Sequence, residues 1–187
     1  MSTKPRMGEL AVADYTPAQK EAADFFEQTR GVKLAGPFDI LLRSPEVLKR
    51  AQYLGAFLRY DCSLSGALSE FAILVVARIW SNDYEWFIHM PIAKKQGVSE
   101  AIIDAIRHGR RPEGMSEEQA AIYDFSSELM VKRRVTNETY ARVHKLFGDK
   151  GIIDLSALNG YYSLLAMTMN AVEMACPEGA EELPKLD

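Results

Sequence analysis

Apolar positions along the chain recur at helical intervals, and the interruptions carry capping residues or glycine and proline stops. Thr16, Pro17 and Gln19 supply an N-cap, a proline at the first helical position and a capping-box partner. They predict a helix through "PAQKEAADFFEQTR" to Gly31. The Gly36-Pro37 step in "VKLAGPFDILLR" then reads as a linker. Further helices are predicted from Ser44-Pro45-Glu46 to about Tyr60, from Ser65 to about Ser81, and from Asp83 to near Gly97. Ser99-Glu100 caps the next, which reaches about His108, and "GRRPEG" is the strongest break. Ser116 and Gln119 form a second capping box for a helix to about Lys132. Thr136 caps one ending at Gly148, and the last runs from roughly Ile153 to Cys176, before Pro177 and an acidic tail. No segment sustains period-two alternation. The pattern predicts an all-α protein of about eight helices. It divides into an N-terminal helix and linker at 1–43, a central part at 44–109, and C-terminal helices at 110–187 packing on it, as one structural domain.

Composition narrows the partners. At 187 residues and 48% hydrophobic content the chain can bury a real core. A net charge of −4 leaves no basic face for phosphates, which argues against nucleic acid. The longest apolar run, "FAILVVA", is too short to span a bilayer, so no membrane partner is expected. Cys62 and Cys176 form no CxxC, and the polar opening "MSTKPRMGELAVADYT" lacks a signal-peptide core. The expectation is a cytoplasmic protein.

Against this background Glu70 is anomalous. It shares a helical stripe with Ala67, Leu74, Ala77 and Ser81 in the most apolar helix. A helix apolar all round is buried, and a buried carboxylate needs a partner. Arg78 is poorly placed for that within the helix. On the next helix Asn82, Glu85 and His89 have i, i+3, i+7 spacing along one face, with Tyr84 at its edge. Trp86, Phe87, Met90 and Ala93 supply apolar walls, and Pro91 predicts a kink just after His89. An isolated Glu–His pair is usually a solvated surface contact. The neighbouring buried acid turns the reading toward an acid–base cluster. His108, His144 and Cys62 sit in contexts that read as structural, and "MTMNAVEM" reads as core or subunit interface.

These residues resemble those of the carboxymuconolactone decarboxylase family, which includes alkyl hydroperoxidase D. The resemblance lies in Glu70, the "YEWFIH" motif ending at His89, then Ala93, Gly97 and the Ser99-Glu100 cap, and it covers about Ser44 to His108. It implies an alkyl hydroperoxidase D-like helical bundle that assembles as a homo-oligomer, trimer or hexamer. The hydroperoxidase branch uses a CxxC pair at the positions held here by Asn82 and Glu85, so a thiol peroxidase cycle is not expected. The decarboxylase branch has a Glu where Glu85 stands. The resemblance therefore implies cofactor-free decarboxylation of a small lactone acid such as 4-carboxymuconolactone.

Loss of CO2 leaves an electron pair delocalised toward the lactone carbonyl, and a proton must return to carbon. His89 is the expected acid–base group, oriented by Glu85, with Glu70 as hydrogen-bond donor or relay. Tyr84, Asn82 and Trp86 are the expected substrate contacts. Two other readings stay open. One is a metal site of Glu70, Glu85 and His89. The other is a non-enzymatic helical oligomer that binds a small molecule.

Overall fold

The computed structural model describes residues 5–186. A single turn of 3₁₀ helix at Val12–Asp14 precedes eight helices: α1 Pro17–Arg30, α2 Pro37–Leu41, α3 Pro45–Tyr60, α4 Gly66–Ile79, α5 Asp83–Lys95, α6 Glu100–Arg107, α7 Glu117–Ser127 and α8 Asn137–Ala171. Among the described residues there is no strand. The all-α expectation holds, and so does most of the capping. Thr16 and Ser116 form both predicted capping boxes, while Ser65, Ser99 and Thr136 each accept a backbone N–H from the first turn.

Two boundaries differ from the pattern-based expectation. The expected linker contains α2, because Pro37, Leu41 and the following Leu42 find places in the core. The expected stop at Gly148 is present as a kink inside α8, where the glycine takes φ 66°, ψ −172° and separates two helical segments. That helix ends at Ala171, short of Cys176, where Glu173 takes φ 51° and the chain turns away. α5 runs through Pro91 to Lys95, close to its expected end. A π-helical turn, Glu128–Lys132, carries the α7 region to its expected end as well.

α4 is the axis of the molecule. Every residue from Ser69 to Arg78 is buried, and α5, α6, α7 and α8 all pack on it. That follows from its composition, since a helix apolar on all sides can only be stable when surrounded. α1 and α2 close the bundle from the N-terminal side through Ala22, Ala23, Phe26 and Leu41 against α3 and α8. The acidic tail returns over the bundle: the Leu183 N–H donates to Asp83 Oδ1 at 2.7 Å, and Arg78 Nη1 donates to the Pro184 carbonyl at 2.9 Å. Arg78 is thereby committed to the tail, not to Glu70. Among the described residues no helix is long and apolar enough to cross a membrane.

Candidate functional site

A tight turn between α4 and α5 sets the site. Ser81 adopts φ 47°, and Asn82 caps α5 by accepting the Glu85 N–H at 2.9 Å. The Asn82 amide donates to Asn170 Oδ1 at 2.8 Å, and Asn170 in turn donates to the Trp80 carbonyl at 2.9 Å. The start of α5 is thus pinned to α8. With that end fixed, Glu85 and His89, one turn apart, both point inward and are only 4% exposed.

The buried acid on α4 finds its partner there. His89 Nδ1 lies 2.6 Å from Glu70 Oε2, and His89 Nε2 lies 3.3 Å from Glu85 Oε2. The three side chains form one chain: carboxylate, imidazole, carboxylate. Arg59 of α3 adds a guanidinium 3.7 Å from the other Glu70 oxygen. The Tyr162 ring meets the imidazole edge-on, with centroids 5.1 Å apart at 90°, and fixes its plane. Burial opposes a charge on His89, but the hydrogen bonds it donates to both carboxylates outweigh it and hold the imidazolium above the ordinary histidine range.

One atom in this chain is unanswered. Glu85 Oε1 is buried and has no hydrogen-bond partner. Leaving a buried carboxylate oxygen unpaired costs free energy unless something outside the chain meets it. Glu85 lines a cavity of about 140 Å³. Arg30, Arg59, Tyr84, His89, Tyr161 and Tyr162 supply the rest of its polar lining, and Ala35, Pro37, Phe38, Ile88 and Leu165 its apolar lining. All three of those phenols are raised above the ordinary tyrosine range by burial: Tyr84; Tyr161 to about 12, with Arg30 opposing the shift; and Tyr162 well above it.

The six residues singled out in the sequence therefore separate. Glu70, Glu85 and His89 come together, and Tyr84 reaches the cavity wall, where its hydroxyl packs against Gly36. Asn82 does not reach the cavity, because both ends of its amide are used in the cap and the tie to α8. Trp86 is 3% exposed and packs in the core. It follows Glu85 by one position, about 100° round the helix, and so faces away from the cavity. The expected apolar wall of Trp86, Phe87, Met90 and Ala93 is replaced by residues from α2, α8 and the connection between α1 and α2. Arg30, Arg59, Tyr161 and Tyr162 were not anticipated. The signal that marked Glu70, a polar group in an apolar helix, is also present in the Tyr161-Tyr162 doublet before "SLLAM".

Both imidazole nitrogens face carboxylates, so neither offers a free lone pair to a metal. Among the described residues no group of three or more His, Cys, Asp or Glu side chains is arranged to hold one. Cys62 donates to the Leu58 carbonyl at 3.0 Å, and burial pushes the Cys176 thiol up to about 11. Neither lines the cavity. His108 and His144 are exposed and pair with Asp104 and Asp149.

Residues 45–123 match the profile of the carboxymuconolactone decarboxylase family. No curated protein matches the chain. Among solved structures, the alkylhydroperoxidase AhpD core of an uncharacterized peroxidase-related protein from Ralstonia eutropha superposes with a TM-score of 0.72 at 13% identity, covering 93% of each chain. An uncharacterized peroxidase-related protein from a Silicibacter species gives a TM-score of 0.71 at 14% identity, over 95% of this chain and 96% of that one. A protein of unknown function from Agrobacterium tumefaciens gives 0.64 at 15% identity, over 73% of this chain and 94% of that one. At these identities the likeness establishes a shared AhpD-like helical fold.

Proposed function

We propose, from the match of residues 45–123 to the carboxymuconolactone decarboxylase family profile, that the protein is a cofactor-independent acid–base lyase acting on a small lactone or carboxylic acid. One observation carries the reading: a buried Glu70–His89–Glu85 chain ends in an unpartnered oxygen on a cavity wall. A proton-transfer group must reach the reacting atom, and in this arrangement that group is Glu85. His89 stands one step back, with both nitrogens engaged, and serves Glu85 as proton partner and positioner. This reverses the order expected from the sequence, where His89 met the substrate and Glu85 oriented it.

The chemistry balances through these atoms. The carbon–carboxylate bond breaks, CO2 leaves, and the electron pair is delocalised toward the lactone carbonyl. Glu85 takes a proton from His89 Nε2 and delivers a proton to carbon from the oxygen that faces the cavity. Glu70 and Arg59 hold the imidazole in place, and a solvent proton resets the chain. Tyr84 on the cavity wall is the donor suited to the developing oxyanion. A peroxidase reading finds no support in this site, because Asn82 and Glu85 stand where a dithiol would be required.

The test is CO2 release from 4-carboxymuconolactone by wild type, Glu85→Gln and His89→Gln, each checked for folding by circular dichroism. Either substitution is expected to lower turnover by roughly 10²–10⁴-fold. Undiminished turnover in folded Glu85→Gln would overturn the assignment of the proton donor. Absence of turnover in folded wild type, on this lactone and on a panel of related lactone acids, would move the protein to the small-molecule-binding reading.

A further inference from the structure

Two polar groups on the cavity wall take no part in the proton chain. Arg30, at the end of α1, is positioned by Gln52: its Nη2 donates to the Gln52 carbonyl at 2.9 Å and its Nε to Gln52 Oε1 at 3.4 Å. The guanidinium lies over the Phe26 and Phe38 rings, 5.9 and 5.6 Å from their centroids. Among the described residues it forms no ion pair, whereas Arg59 already faces Glu70. A planar cation oriented by an amide and two rings, with donors left over, is suited to a carboxylate. Beside it Tyr161 is 4% exposed, and its buried hydroxyl meets no polar group other than the Arg30 guanidinium. Gly55 makes room for that hydroxyl, since a Cβ at this position would lie 2.1 Å from it.

We propose that Arg30 and the Tyr161 hydroxyl form a carboxylate-binding subsite, and that the ligand is a single-ring acid seating its non-reacting carboxylate there. The size agrees: the cavity holds about 140 Å³, and a dry cavity of about 150 Å³ takes one benzene-sized ring. Both residues lie outside residues 45–123, so the subsite belongs to the flanking helices and not to the family segment. The proposal rests on reading this cavity as the reaction site.

The probe is γ-butyrolactone-γ-acetate, a saturated lactone acid that carries only the non-reacting carboxylate, compared with uncharged γ-butyrolactone. Titration calorimetry and ligand-observed NMR read binding without turnover. Wild type is expected to bind the acid, and Arg30→Gln to weaken it by about tenfold or more while leaving the neutral lactone unchanged. Equal affinity of Arg30→Gln and wild type for the acid, or no binding of it by folded wild type, overturns the subsite. Should Arg30→Gln fail to fold, Tyr161→Phe removes one oxygen only and is expected to weaken the acid by about threefold or more. Unchanged affinity in that variant is then the overturning result. Binding of the acid with no turnover in the lyase assay would sink the lyase reading and leave the subsite standing.

Discussion

Two buried carboxylates in this protein have the same sequence signature and opposite surroundings. Glu85 lies four residues before His89, and Asp154 lies four residues after Lys150. Both acids are nearly inaccessible, at 4% and 5% exposure. Asp154 Oδ2 accepts from the Ser63 N–H and hydroxyl, each at 2.7 Å, and from Lys150 Nζ at 2.5 Å. It ties the turn between α3 and α4 to α8. Glu85 has one imidazole at 3.3 Å and an oxygen with nothing to meet. A saturated buried acid stabilises a fold, while an unsaturated one on a cavity wall spends stability that a ligand can return.

Stability measurements can break that comparison. Asp154→Ala removes three charge-assisted hydrogen bonds and is expected to cost about 2 kcal/mol in urea unfolding. Glu85→Gln keeps the shape, leaves His89 its Glu70 partner and removes a carboxylate with one unanswered oxygen. It is expected to fall within about 1 kcal/mol of wild type. The reverse ranking would mean that Glu85 holds the fold together and that its free oxygen has no ligand to wait for.

pH separates the two sites by direction. His89 is held above its ordinary value, near 6.5 in an unfolded chain. Its contribution to stability is therefore full below about pH 6.5 and is lost as pH rises through the folded value. Burial works against the charge of Asp154, but the Lys150 and Ser63 hydrogen bonds outweigh it and hold its carboxyl below the usual range. Its contribution is present above about pH 4 and is lost as pH falls through the folded value. Unfolding free energies from about pH 3 to about pH 9 should thus fall at both ends. His89→Gln should flatten the alkaline fall and Asp154→Asn part of the acid one. An alkaline fall that persists in His89→Gln would assign it to another group.

The same contrast explains what could be read from the chain. Caps, breaks and the apolar length of α4 are local, and they predicted the helices and marked Glu70 as needing a partner. The meeting of Glu70 with His89 was approached through spacing within one helix and apolarity in the next. Arg30 and Tyr161 reach the cavity from helices that lie 130 residues apart in sequence, and no periodicity relates them. Asn82 and Trp86 show the limit from the other side. Both sat in the busiest polar and aromatic stretch, but the first was taken up by the cap and the second by the core. Helical phase places a side chain on a face; only packing decides what that face meets.

The smallest expected effect tests the Tyr161 phenol by itself. Tyr161→Phe removes one oxygen from a packed ring and creates no cavity of consequence. If the hydroxyl truly lacks a partner, its loss removes a desolvation penalty, and stability should hold or rise by up to about 1 kcal/mol. Asp154→Ala, which strips partners from a saturated site, should move the other way. A loss of more than about 1 kcal/mol in Tyr161→Phe would show that the hydroxyl is already answered within the fold. The subsite would then lose its second donor and rest on Arg30 alone. A gain in stability together with weaker binding of the lactone acid is the outcome that distinguishes a group kept for a ligand from one kept for the fold.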